Sequence, residues 1–282
     1  MSATRSVIAL FVLALCAALV PAAAGAQSYV SLGDSYVSGP LILPPAEGAP
    51  LDCTQSARNY PHLTARALGL SLKDVSCGGA TTADLTTEAQ FPDQPPQLYA
   101  LSASTEVVSV GIGGNDKNLF IETLAVCGVE DLVFPFGTPC KDTYGNKLSE
   151  EIKADEPVVS AAFHQIGVLS PSAKVFVVAY PDILPQSGNC WPTVPLTTGD
   201  VAYLNNVEKE LNAMLASAAS ANGDIYVDTF TPSMGHDACK PLSTRWIEPV
   251  IPESDAFSVH PNEKGMEADA SELEAAMRMQ GI

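Results

Sequence analysis

Four short blocks of this 282-residue chain carry residue types that could do chemistry together. Gly33-Asp34-Ser35-Tyr36 sets a serine in a tight glycine turn directly after the apolar run Tyr29-Val30-Ser31-Leu32. Cys77-Gly78-Gly79-Ala80-Thr81, Gly113-Gly114-Asn115-Asp116 and His260-Pro261-Asn262 follow in that order. A serine at the carboxyl end of a first strand can be presented as a nucleophile. Gly79 has no side chain to keep a substrate away from its N–H, and Asn115 can donate from its amide without a change of charge. His260, in a loop leading into the last helical segment, is the general base such a serine needs. The other histidines are less well placed: His62 and His164 fall in helical patterns, and His236 sits in a Gly-containing loop near Cys239. Nucleophile, base and oxyanion donors are the parts of acyl transfer through a covalent intermediate, so ester hydrolysis is the expected chemistry. Each block alone has a plainer use: Ser35 as a helix N-cap, Gly79 as a turn glycine, Asn115 in a left-handed turn, Asp116 as an acid that holds a loop. Their order, and the place of Ser35 and Asn115 just past strand ends, favours the catalytic reading.

The elements that must position these residues are legible as runs and periods. Segments 29–32, 107–112, 175–179 and 225–227, with a weaker one at 72–77, are short and nearly continuous in apolar residues, as strands buried on both faces are. Asn59 and Pro61 open a helix that runs to Gly69. Val201, Leu204, Val207, Leu211, Met214 and Leu215 keep helical spacing over 200–221, and Asn222-Gly223 stops the pattern. A last helix covers 263–279, with acids early and Arg278 late, as the helix dipole prefers. Strands alternating with helices predict a doubly wound α/β fold. Three excursions, at 40–53, 118–148 and 182–198, are rich in Pro, Gly and Cys and are expected as ordered, disulfide-pinned loops above the sheet. With no internal repeat and no low-complexity linker, one domain is expected over 27–282.

Residues 1–26 read as a cleaved signal peptide. Arg5 is the positive start, 7–20 the apolar centre and Ala24-Gly25-Ala26 the small-residue cleavage site. Secretion follows, without a stable membrane anchor. The whole chain carries a formal charge of −18, and the leader would remove one cation and no acid. An acidic chain of this kind argues against nucleic acid and against docking on anionic membranes, and suggests a dispersed monomer. Cys16 would leave with the leader, and the six remaining cysteines read as disulfides in an exported protein. Their connectivity is open at this point, although Cys127 and Cys140 bracket a Gly/Pro-rich stretch as natural partners. No Cys-x-x-Cys occurs, so no metal site is expected, and no cofactor. Phe91, Phe120, Trp191, Trp246 and Phe257 could line an acyl groove.

These four blocks resemble those of the SGNH/GDSL hydrolase family over nearly all of the mature chain. Ser35, Gly79, Asn115 and His260 match the four residues that give that family its name. The Gly-Asp-Ser-Tyr form and the six cysteines are similar to the secreted lipase/esterase branch of actinomycetes. The resemblance implies a flavodoxin-like three-layer α/β/α sandwich with a central parallel sheet. It also implies an oxyanion hole of Ser35 N–H, Gly79 N–H and the Asn115 side chain, and disulfides paired Cys53–Cys77, Cys127–Cys140 and Cys190–Cys239. Many members carry an acid three residues before the histidine, where this chain has Phe257. In the actinomycete branch a backbone carbonyl replaces the acid, so Phe257 C=O is the expected orienter of His260, leaving a Ser–His dyad without help from Asp255. The expected function is that of a secreted carboxylic ester hydrolase acting on small-molecule or lipid esters. A carbohydrate O-acetyl esterase and a non-catalytic secreted binding module are the alternatives.

Overall fold

The five runs read as strands form one parallel sheet in the computed structural model, which describes residues 25–119 and 121–282. The expected leader lies outside the described residues except for its last two positions, and Phe120 lies outside them as well. The strands are β1 (Ser28–Gly33), β2 (Ser71–Asp74), β3 (Val107–Gly111), β4 (Lys174–Val178) and β5 (Ile225–Val227). They lie in the order β2-β1-β3-β4-β5, each neighbour parallel. The helices are α1 (Ser35–Ser38), α2 (Tyr60–Leu68), α3 (Thr82–Thr86), α4 (Ile121–Val133), α5 (Pro139–Tyr144), α6 (Lys147–Leu169), α7 (Thr198–Asn222), α8 (Phe230–Ser233) and α9 (Glu263–Met279).

Strand alternation sorts the core into two apolar clusters, one on each face of the sheet. Val30, Leu32, Val108, Val110, Val175 and Val177 pack with Phe163 and Ile166 of α6 and Leu211 and Leu215 of α7. Tyr29, Val107, Phe176 and Val178 pack with Tyr60 and Ala65 of α2 and Met266 and Leu273 of α9. The result is three layers, as burial of both sheet faces requires.

Helix ends follow local chemistry. The Asn59 side chain accepts the His62 N–H, and Gly69, at φ 67°, closes α2 in the left-handed conformation. Asn262 caps α9 by accepting from Lys264 and Gly265. The excursion at 118–148 departs from its expected form: it is largely helical, holding α4, α5 and the start of α6. Its Pro and Gly residues cluster at 135–139, which breaks the chain between α4 and α5, whereas 121–133 contains no proline and one glycine. The excursions at 40–53 and 182–197 are irregular apart from one short turn at Leu51–Cys53.

Candidate active site

The strand order reverses between β1 and β3, and in open parallel sheets the crevice at the carboxyl ends beside that reversal is where ligands bind. Ser35 and Asn115 emerge from those two strands. Gly33 pairs with Gly111 at the end of the ladder, and its φ of 145° suits glycine. A Cβ at Gly33 would stand 2.3 Å from Val37 Cγ2 and 2.4 Å from Gly111 O, so only glycine lets the turn close on β3. Gln97 grips the same residue twice, accepting the Gly33 N–H at 2.7 Å and donating to Gly33 O at 2.9 Å. Asp34 caps α1 by accepting the Tyr36 N–H. Ser35 is therefore the first residue of a short helix, and its own N–H has no protein acceptor among the described residues.

β2 carries the second block to the same edge. Its bonding to β1 continues past its end, with Val75 N–H donating to Ser31 O and Cys77 N–H to Gly33 O. Cys77 is bonded to Cys53, and the Gly78 N–H donates to Cys53 O, so the turn is held on both sides. Gly79 adopts φ 79° and its N–H is unused among the described residues. Asn115 directs one amide hydrogen to Ala80 O at 3.0 Å, which leaves the second for a ligand. Asp116 accepts the Thr82 N–H at 2.7 Å and the Thr82 hydroxyl, tying α3 to the loop after β3; this is the structural role expected of it.

His260 Nε2 stands 2.7 Å from Ser35 Oγ. Its Nδ1 lies 2.8 Å from the Ser258 carbonyl, which accepts and so puts the ring proton on Nδ1, leaving Nε2 to accept from serine. This corrects the expectation of Phe257 C=O as orienter. That carbonyl accepts the His260 backbone N–H instead. The reason lies at Val259, which takes φ 60°, a conformation rare and strained for a β-branched residue. Three bonds hold it there: Tyr36 OH donates to Val259 O at 2.6 Å, Val259 N–H donates to Glu248 O, and Glu248 N–H donates to His260 O. The resulting turn aims the carbonyl two residues back at the ring. Asp255 lines a separate cavity with Arg58 and Glu263. Burial lowers the His260 pKa to about 4, opposed by the Ser258 bond, so the ring is neutral at neutral pH.

Ser35, Gly79, Asn115 and His260 line one open cleft of about 360 Å³, with Pro40, Leu41 and Phe257 among its other walls. A neutral imidazole on a serine hydroxyl, with free donors alongside, can activate the oxygen and receive an oxyanion. Of the aromatic residues considered for an acyl groove, Phe257 lines the cleft and packs edge-on against His260 at 5.2 Å. Trp246 stacks on His236 at 3.9 Å, and Phe91 packs against the core. The three disulfides are Cys53–Cys77, Cys127–Cys140 and Cys190–Cys239. Among the described residues no group of His, Cys, Asp and Glu is arranged to hold a metal.

Sequence reasoning missed two supports. Tyr180 OH donates to Asp34 and accepts the Gly114 N–H at 2.8 Å, joining the first and third blocks. A Cβ at Gly114 would stand 2.8 Å from that hydroxyl, so Gly-Gly before Asn115 makes room for the tyrosine. Glu248, fully buried, is bonded by Arg245 at 2.9 Å and Asn262 at 2.8 Å beneath the histidine loop. The second glycine of Gly113-Gly114 was the one available signal for a bulky neighbour; nothing local marked Tyr180 or Glu248.

Known proteins share this sequence pattern and this fold. The model of the GDSL-like Lipase/Acylhydrolase family matches residues 31–268. Lipase 2 of Streptomyces coelicolor is 42% identical over 241 residues, covering 84% of this chain and 81% of that protein. Among solved structures, phospholipase A1 from Streptomyces albidoflavus NA297 superposes with a TM-score of 0.73 at 26% identity, over 90% of this chain and 99% of the other. An extracellular lipase from Streptomyces rimosus gives 0.73 and 26%, over 89% and 100%.

Proposed function

This chain belongs to the GDSL-like lipase/acylhydrolase family and is a carboxylic ester hydrolase, and we propose that within it Ser35 is the nucleophile and His260 its general base. Ser35 N–H, Gly79 N–H and the Asn115 amide are the proposed oxyanion donors. The observation that carries the assignment is the 2.7 Å contact between Ser35 Oγ and His260 Nε2 in a cleft that also holds those donors.

In this reading Ser35 Oγ attacks the ester carbonyl carbon as Nε2 takes its proton. The carbonyl oxygen becomes the oxyanion and meets three donors already in place, so little reorganisation is needed as charge develops. Collapse of the tetrahedral intermediate breaks the bond to the leaving alcohol, which takes the proton from the imidazolium. Water, deprotonated by His260, then attacks the acyl-serine and releases the acid. The Ser258 carbonyl keeps the tautomer through the cycle but brings no negative charge, so the imidazolium is held less strongly than by a carboxylate. The three disulfides and the extracellular relative support an exported protein, with the leader at 1–26 as its signal.

The test is hydrolysis of p-nitrophenyl acetate by the protein and by Ser35→Ala, with fluorophosphonate labelling of both. The variant should lose activity by about 10⁴-fold or more and take no label. A variant that keeps its rate would remove Ser35 from the mechanism. Labelling without turnover of any simple ester would point to acetylated glycans, and absence of both to a binding module.

A further inference from the structure

The loop that carries Asn115 is strained where it turns away from the cleft. Lys117 takes φ 53° and Asn118 φ 61°, two successive residues with side chains in the left-handed region. Asparagine tolerates that conformation, but lysine does not favour it, so the surroundings must hold Lys117 there. Its conformation closes a turn in which Asn118 N–H donates to Asn115 O at 3.2 Å and Leu119 N–H to Asp116 O at 3.0 Å. The turn in turn fixes the backbone from which the Asn115 amide projects. Behind it stands α6. Lys117 Nζ lies 3.3 Å from Asp155 Oδ1 and donates to Glu151 O, one turn earlier on that helix, at 3.3 Å. Val159, one turn later, faces Gly113, where a Cβ would stand 3.8 Å from Val159 Cγ2. One face of α6 thus backs the loop from Gly113 to Lys117.

Asp155 is an unfavourable residue to bury at that face. Burial and the neighbouring Asp116 raise its pKa to about 6, with Lys117 opposing the shift. Its Oδ2 is buried without a hydrogen-bond donor among the described residues. A carboxyl held this way costs stability, which marks a group that serves a site rather than the apolar core. Asp116 is spoken for, since both its oxygens accept from Thr82. Resting on the oxyanion role proposed for Asn115, we propose that Asp155 is a positioning residue for the reaction. Through Lys117 it holds the turn at 115–118 closed, and so aims the free amide hydrogen of Asn115 at the developing oxyanion. Asp155 itself touches no substrate. Its effect falls on the transition state and not on the bound ester, because the oxyanion forms only as Ser35 attacks.

The experiment measures kcat and KM for p-nitrophenyl acetate at pH 8, where a carboxyl raised to about 6 is ionised. It compares the full-length protein, Asp155→Ala, Asn115→Ala and the double variant, with Tm for each. Asn115→Ala should lower kcat by about 10²–10³. Asp155→Ala should lower kcat about tenfold and leave KM within about twofold. Where Asn115 is already alanine no amide is left to aim, so the same substitution should cost less than about threefold, although it changes Tm equally in both backgrounds. A tenfold loss that persists beside Asn115→Ala, or no loss in the parent, would overturn the positioning role. Lys117→Gly tests the route, because glycine adopts the left-handed conformation unaided. In that background Asp155→Ala should again cost less than about threefold, and a full loss would overturn the part given to Lys117. Asp155→Asn keeps the volume without the charge and replaces alanine if that variant does not fold. An unchanged kcat in Asn115→Ala would instead strike the oxyanion assignment, and the positioning role with it, so the two failures are distinguishable.

Discussion

His260 has to be neutral to take the Ser35 proton, and its surroundings settle that before substrate arrives. Burial moves its pKa from 6.5 to about 4, with only the Ser258 carbonyl opposing. The active form is the deprotonated one, so activity is lost as pH falls through the folded value, not through the ordinary one. We expect the acid limb of kcat/KM to have its midpoint well below 6.5, near 4, in a rate profile on a neutral ester. A midpoint at 6.5 would mean a solvated imidazole. The same bond decides the part of Asp255. With Nδ1 engaged by Ser258 O, Asp255→Asn should leave kcat within about twofold, and a loss of hundreds-fold would show the carboxylate reaching the ring during turnover.

The blocks act as one site because elements distant in sequence lock them. Tyr180, just past β4, bonds Asp34 of the first block and Gly114 of the third, and its ring lies 5.1 Å edge-on from Tyr36. Burial raises the Asp34 pKa to about 7, eased by the bonds from Tyr180 and Tyr36, so this carboxyl depends on its donors. Tyr180→Phe keeps the ring and removes both hydroxyl bonds, leaving a buried N–H and a buried carboxyl each short of a partner. It should cost roughly 1–3 kcal/mol of stability by denaturant titration, and lower kcat more than it raises KM, because the donor loop loosens. Equal stability would show that the hydroxyl carries no net weight. The histidine loop is locked in the same manner by Tyr36 and Glu248, whose buried carboxylate is surrounded by donors. Burial opposes its charge, but bonds from Asn262, Glu253 N–H, Ser254 and Arg245 prevail and bring its pKa to about 2.

Across the whole molecule the titrations pull in opposite directions. Asp34 is raised to about 7 by burial, and Glu208 and Asp269 are raised well above their ordinary values for the same reason. Their contribution to stability is present below the unfolded carboxylate range and is lost as pH rises from there through the folded values, because over that interval the folded chain still holds protons the unfolded chain has already released. His260 and Glu248 work the other way: their contributions are present above 6.5 and 4.5 and are lost as pH falls toward about 4 and about 2. Above pH 6.5 the contributions of His260 and Glu248 are fully present while those of the raised acids still fall, and a net charge of −18 adds self-repulsion. Tm should therefore be higher at pH 6 than at pH 8 in matched salt. A Tm that rises over that interval would show that these acids are ionised in the folded state at lower pH.

What the sequence determined by itself was whatever local rules govern. Apolar runs made the strands of the sheet, Asn59 and Gly69 marked both ends of α2, Asn262 began α9, and the first three blocks fell after β1, β2 and β3, where a parallel sheet gathers them, with His260 in the loop before α9. Each of these follows from residues within a few positions of one another. The composition of 118–148 misled for the same reason, since Gly and Pro at 135–139 outweighed a helix-compatible stretch beside them. The tertiary structure alone decided which carbonyl orients His260, because that depends on Val259 being held at φ 60° by a hydroxyl 223 positions away. It also decided that Tyr180 joins two blocks, across 146 positions to Asp34, and that Asp155 of α6 meets Lys117 behind Asn115. Such contacts are made through space by side chains whose directions are set by packing, and no spacing along the chain encodes them.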